Sequence, residues 1–290
     1  MELNVDIKKL KLNIQPHVLA GILKLNEKSS MSFKDMDRLV KSDQSMTALI
    51  LKAANSSLYS RGGDISTLQH AISLLGFQVV RSLAMVAASK ALFEAGNYSR
   101  FRRYVWEHSV VTAITARNLA IRLKMTELEE EAFIAGLLHD IGKVIMNILD
   151  RKKFIEVITK AVDEKIPFSE AEKSVFGYSH LDIGELAINE WHLPALYKPI
   201  LSLHMDYRSF TPVEGEEGAK KLLHLVSYAN YLAKRHGFGH FTAADADNIE
   251  DIQYLEGELG MKEADVLYFT GEYARTIAED EFYNFFMTVI

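Results

Sequence analysis

Apolar residues recur at intervals of three and four along almost the whole chain, and no convincing run of alternating apolar and polar residues interrupts them. That period predicts helices and no strands, so the fold class is all-α. Between breakers, the pattern predicts helices over 16–27, 32–41, 45–57, 65–75, 77–95, 99–123, 127–139, 142–163, 168–176, 180–191, 195–205, 217–236, 248–259 and 262–282. Three pairs, Ser66 with Gln69, Thr126 with Glu129 and Ser169 with Glu172, have the spacing of capping boxes at helix starts.

The loop from Ser209 to Gly218, with Thr211-Pro212 and Gly215-Glu216-Glu217-Gly218, is the strongest break in the pattern, and Gly96-Asn97-Tyr98-Ser99 a smaller one. The expected organisation is an N-terminal helical lobe over 1–96, a helical bundle over 97–236 and an acidic C-terminal helical extension over 237–290. No Ser/Gly-rich or Pro-rich linker separates these parts, so the lobes are expected to pack together.

Composition narrows the class. With 290 residues, 48% hydrophobic and 25% charged, the chain can bury a sizeable core; 5 Pro and 16 Gly are too few turn formers for a many-stranded sandwich or barrel. The best bilayer candidate, Ile72 to Ala88, is interrupted by Arg81, and Met1-Glu2-Leu3-Asn4-Val5-Asp6 lacks a basic-then-apolar signal pattern. Zero cysteines exclude disulfides, thiolate metal sites, iron–sulfur clusters and cysteine nucleophiles. A cytoplasmic location without membrane contact is the expectation.

The net charge of −6 is uneven: residues 241–290 carry twelve acids against Lys262 and Arg275, a net of −10, which leaves +4 on the first 240 residues. The acidic segment reads either as a solvated helical face or as a cover for a basic surface or partner. Strong nucleic-acid binding is not expected. Arg100, Arg102 and Arg103 with Tyr98, Phe101 and Tyr104 read as a solvated loop or a phosphate contact.

Ten histidines are the only soft ligands available in a chain without cysteine. His17, His70, His192, His224, His236 and His240 have no acidic or histidine neighbour at useful spacing and read as surface or core-edge residues. His139-Asp140 differs, because the apolar run Ala135 to Leu138 ends there in two adjacent ligand types, with Gly142 and Lys143 following. Imidazole plus carboxylate suits Mn, Fe, Zn or Mg and leaves positions for water and a phosphate oxygen. The competing reading of His108 and His139 is a pair of core histidines bonded to each other or to Asp140. Lys143 is placed to neutralise Asp140, to meet a phosphate or to serve the helix dipole. Arg81 is either an inter-lobe ion-pair partner or an arginine whose stem snorkels outward.

Trp106-Glu107-His108-Ser109, followed 31 residues after the histidine by His139-Asp140-Ile141-Gly142-Lys143, resembles the HD superfamily of metal-dependent phosphohydrolases. Ser42-Asp43-Gln44-Ser45-Met46 through Ala53-Ala54-Asn55-Ser56-Ser57-Leu58-Tyr59, and Ile65 through Gly76, resemble more specifically the HDOD domain, a regulatory relative found in bacterial signalling proteins. Ser179-His180-Leu181-Asp182-Ile183-Gly184 and Trp191-His192-Leu193-Pro194 continue the resemblance, which spans about residues 15–236.

The resemblance implies an HD-like bundle over 97–236 with His108, His139 and Asp140 as three of four metal ligands. His180 and His204 sit where a two-metal, cyclic-dinucleotide-hydrolysing branch has further histidines. The fourth HD ligand, an aspartate after alanine, is here Asn230 after Ala229; His204-Met205 stands for a histidine pair, and no Gly-Tyr-Pro follows. An amide keeps an oxygen but removes a charge from a cation site and a carboxylate from the attacking water. What the resemblance then implies is a non-catalytic or weakly catalytic signal-transduction module with a degenerate divalent-metal site (Fe, Mn, Zn or Mg), acting through signalling proteins in trans. The alternative is an active metal-dependent phosphohydrolase on nucleotides or cyclic dinucleotides, with Lys143 at the phosphate; a third reading is a scaffold without ligand.

Overall fold

The structure, a computed structural model, describes residues 5–7, 10, 12–25, 33–56, 59, 65–94, 105–239 and 249–288. Every regular element among the described residues is a helix, as the apolar period requires. The predicted loop Arg61 to Asp64, the break at Gly96 to Ser99, the Arg100, Arg102 and Arg103 cluster and His240 lie outside the described residues.

The N-terminal part holds α1 (Pro16–Lys24), α2 (Phe33–Lys41), α3 (Gln44–Ala54), α4 (Leu68–Leu75) and α5 (Phe77–Glu94). Asp43 caps α3, its side chain accepting from the N–H groups of Ser45 at 2.8 Å and Met46 at 3.2 Å. The cap of α4 is Thr67, which accepts from His70 N–H at 3.2 Å, one residue beyond the Ser66 box that the spacing predicts. At Gly76 the chain turns through 119° into α5.

The central part comprises α6 (Glu107–Arg122), a 3-10 turn Thr126–Leu128, α7 (Glu129–Leu138), α8 (Ile141–Leu149), α9 (Arg151–Glu164), α10 (Phe168–Phe176), α11 (His180–Glu190), α12 (Lys198–Leu203) and α13 (Glu217–Arg235). Several predicted boundaries need correction. The 142–163 helix breaks at Asp150, whose extended backbone and side-chain bond to Lys153 N–H start α9. Thr126 opens the 3-10 turn without capping it. Glu172 does not close a box with Ser169, because its carboxylate turns instead to His180. The box present here is Ser179 with Asp182, which accepts from Ser179 N–H at 2.7 Å.

Among the described residues, 126–149 form one helical run apolar and long enough to span a bilayer, with mean hydropathy 1.5, and the predicted segment 72–88 falls in a second such stretch, α4 with α5, that is bent by 119°. The 126–149 run is 83% buried inside the protein, where it is the central core element. The C-terminal part has α14 (Ile249–Glu258), α15 (Glu263–Leu267), a π turn Tyr268–Glu272, α16 (Tyr273–Glu279) and α17 (Glu281–Thr288), so the single predicted helix over 262–282 is divided.

Two features tie the parts together. Arg81, 2% exposed on α5, is an inter-lobe partner: it donates to Ile22 O at 3.1 Å, Leu23 O at 2.9 Å and Glu131 Oε1 at 2.7 Å, and Tyr197 donates its hydroxyl to the same Glu131. The acidic segment covers cations of the central bundle, with Asp251 on Arg208 at 2.8 Å, Glu258 on Lys220 at 2.5 Å and Asp265 on Arg122 at 2.7 Å. The +4 body and −10 segment are thus partly complementary within one molecule.

Candidate metal centre

Close backbone approach brings the site residues together. A Cβ at Gly136 would lie 2.7 Å from Ala113 Cα, so α7 rests directly on α6, and one at Gly142 would lie 1.9 Å from His180 O, so the start of α8 touches the start of α11. His108 is in the first turn of α6, His139 and Asp140 join α7 to α8, His180 opens α11, and His204 ends α12. All five are buried.

Each imidazole is anchored through Nδ1. His108 Nδ1 meets Phe238 O at 3.0 Å, His139 Nδ1 meets Gly136 O at 2.7 Å, His204 Nδ1 meets Ile200 O at 2.9 Å and His180 Nδ1 meets Glu172 Oε2 at 2.6 Å. A carbonyl or carboxylate oxygen can only accept, so the hydrogen-bond network assigns a proton to each Nδ1, and the Nε2 of a ring that carries no second proton is a bare lone pair. Those Nε2 atoms converge on one carboxylate. Asp140 Oδ2 lies 3.3 Å from His139 Nε2 and 3.7 Å from His108 Nε2, while Oδ1 lies 3.5 Å from His180 Nε2 and 3.6 Å from His204 Nε2.

The result is two ligand groups sharing Asp140, His108/His139/Asp140 and Asp140/His180/His204, each with its donor atoms within 4.8 Å of one another. Asp140 Oδ1, His180 Nε2 and Asn230 Oδ1 are buried without a hydrogen-bond partner. Nε2 atoms turned to a carboxylate can share a cation with it, and anchored Nδ1 atoms are how metal-binding histidines are held. Histidine, carboxylate and amide oxygen suit a divalent metal. His108 and His139 do meet, Nε2 to Nε2 at 3.2 Å, as the core-pair reading requires, and the same two atoms are the ones a cation would take.

Electrostatics agree with the geometry. Burial, reinforced by His139, pushes the pKa of His108 well below the usual histidine value, and burial lowers His204 to about 3. Burial opposes ionisation of Asp140, but His139 and Lys143 outweigh it and hold the carboxyl well below its ordinary range. Lys143 donates to Asp140 Oδ2 at 2.8 Å, which selects the neutralising role among those open to it.

Asn230, on α13, reaches the same cavity, where its Nδ2 points at Met205 Sδ at 3.5 Å, as does Lys234 Nζ. That cavity, lined by His108, Lys143, His180, His204, Asn230 and Lys234 among others, is narrow, about 20 Å³. Glu172 is the functional residue the motifs miss. Its signal is positional: with Phe168, Ala171 and Val175 it falls on the apolar stripe of α10, an acid on the side where the helix faces the core. Of the histidines read as bystanders, His224 is buried against Tyr207 and Tyr254 with Glu258 3.8 Å away.

Fold and site together define an all-helical protein with a buried histidine–aspartate cluster of HD type. The HDOD domain family matches residues 12–207, and the chain belongs to that family. An HDOD domain protein of unknown function from Geobacter sulfurreducens is similar in structure, with TM-score 0.76, 25% identity, and coverage of 96% of this chain and 92% of that one. A candidate signal-transduction protein from Marinobacter aquaeolei VT8 shares the fold at TM-score 0.72 and 22% identity, over 99% of this chain and 62% of that one. An uncharacterized protein of Treponema pallidum (strain Nichols) is 21% identical over 215 residues, 74% of this chain. The chain spans 40% of that relative's length.

Proposed function

We propose that this chain is a regulatory HDOD module of bacterial signal transduction, with a divalent metal in the His108, His139, Asp140, His180, His204 cluster and without efficient hydrolysis. It acts through protein partners. The observation that supports the reading is the donor set: four imidazoles and a single carboxylate converge, and Asn230, an amide, lines the same cavity, at the position where the family resemblance expects an aspartate. Bound there, Fe, Mn, Zn or Mg supplies Lewis acidity toward water or a phosphate oxygen.

The protein's own groups supply little else. Asp140 is committed to the histidines and to Lys143, so it is not available as a proton acceptor. An Asn230 amide cannot take a proton from water. A cavity of about 20 Å³ holds a water-sized body and is far below the several hundred Å³ that a nucleotide needs.

The test pairs elemental analysis of the purified protein with an aryl phosphodiester assay on wild type and Asn230→Asp. Expected are bound metal, negligible wild-type turnover and a gain in Asn230→Asp. Robust wild-type turnover that disappears in His139→Ala would establish the phosphohydrolase instead. Absence of metal after growth in Mn and Fe would sink both.

A further inference from the structure

The anchor of His108 is unlike the other three. His139, His180 and His204 are held by groups three to eight residues away, whereas His108 is held across 130 residues by the carbonyl of Phe238. Phe238 lies beyond both the family match and α13.

The local sequence builds this strap. Gly237, with φ +85°, ends α13 in a left-handed turn in which Gly237 N–H bonds Lys234 O and Phe238 N–H bonds Ala233 O, both at 2.9 Å. Gly239 follows with φ +76°, and a Cβ there would lie 2.4 Å from His108 Cβ and 2.8 Å from its Nδ1. Only glycine lets the backbone lie flat on the ring.

The C-terminal helices hold the strap in place. Tyr283 of α17 packs edge-on against the Phe238 ring, centroids 6.2 Å apart, and donates its hydroxyl to Glu107, the neighbour of His108, at 2.8 Å. His236 Nε2 bonds Phe269 O at 3.0 Å, fixing the other end. We infer that Phe238, Gly239 and Tyr283 are positioning residues for His108, so that metal occupancy depends on how this strap is seated on the ring rather than on the C-terminal contacts at large; this rests on the metal-centre reading above.

The test is a competition titration of Zn(II) against a chromophoric chelator on the full chain. Gly239→Ala, which drives a Cβ into the ring, is expected to weaken zinc by roughly 10- to 100-fold, the range for loss of a group that orients a ligand, and Tyr283→Ala by roughly tenfold. Arg122→Ala, which releases Asp265 elsewhere on the same helices, is expected to change affinity by less than about twofold, a surface-pair effect. The second readout needs no metal: nitrogen-15 shifts of the His108 ring report the Nδ1–H tautomer in wild type and a mixture in Tyr283→Ala. Wild-type affinity and tautomer in both strap variants overturn the inference, as does an equal loss in Arg122→Ala. A wild type that binds no zinc defeats the metal reading instead, and the tautomer still decides the positioning role.

Discussion

His108 Nε2 and His139 Nε2 face each other at 3.2 Å, while the Nδ1 of each ring is turned to a backbone carbonyl. Two neutral rings so placed repel each other, and a shared cation would relieve that repulsion. Metal at a hundred times its dissociation constant should stabilise the fold by about 2.7 kcal/mol, reversed by chelator. Thermal unfolding with and without chelator checks this, and His139→Ala should abolish the difference. An unchanged midpoint in wild type contradicts it.

Gly142→Ala should be harmful out of proportion to one methyl group. The new Cβ would meet His180 O at 1.9 Å, and that atom is backbone, so α8 and α11 must separate. Expected are a loss of about 1–3 kcal/mol in urea unfolding and reduced metal content, since His180 moves with its helix. Wild-type values for both would show that the interface accommodates the change.

The Arg81 network gives a prediction of the opposite kind. Arg81→Met strands Glu131, Tyr197 and two α1 carbonyls around a missing guanidinium, and breaking a buried pair on one side costs about 3–5 kcal/mol. Adding Glu131→Leu should recover much of that loss. A double variant no more stable than Arg81→Met would mean that the charge pair is not the source.

His224 makes stability pH-dependent away from the metal centre. Burial lowers its pKa to about 4, against an ordinary value near 6.5 in the unfolded chain. The unfolded state therefore binds more protons between these values, so the contribution is complete above about pH 6.5 and is lost as pH falls toward 4, on the order of 2 kcal/mol. Urea unfolding from pH 7.5 to 4.5, compared with His224→Leu in the same series, isolates it: the variant should show a shallower decline.

The helices and the His139-Asp140 pair were readable because both are written in local spacing, apolar residues three and four apart and two ligand types at the end of an apolar run, while His108, His180 and His204 joined them only through the family resemblance. What was not readable depends on direction or distance. Glu172 has capping-box spacing from Ser169, yet burial of α10 on that side turns its carboxylate to His180. Asp150 breaks a helix that hydrophobicity alone continues through, because the cap it forms outweighs the pattern around it. His224 acquires its acid from Glu258, on a different helix. The Phe238 carbonyl leaves no side-chain signature, and only Gly237 and Gly239 flanking it hint that the backbone is in use.

The acidic segment has a further meaning once its place is known. Family motifs end before α13, while the amide at the carboxylate position, the carbonyl on His108 and the tyrosine behind it all come later in the chain. Two relatives identical over the matched segment 12–207 therefore need not hold a cation equally well. A fragment trimmed at residue 207 would carry His108, His139, His180 and His204 without Asn230 and without the Phe238 carbonyl that meets the His108 ring.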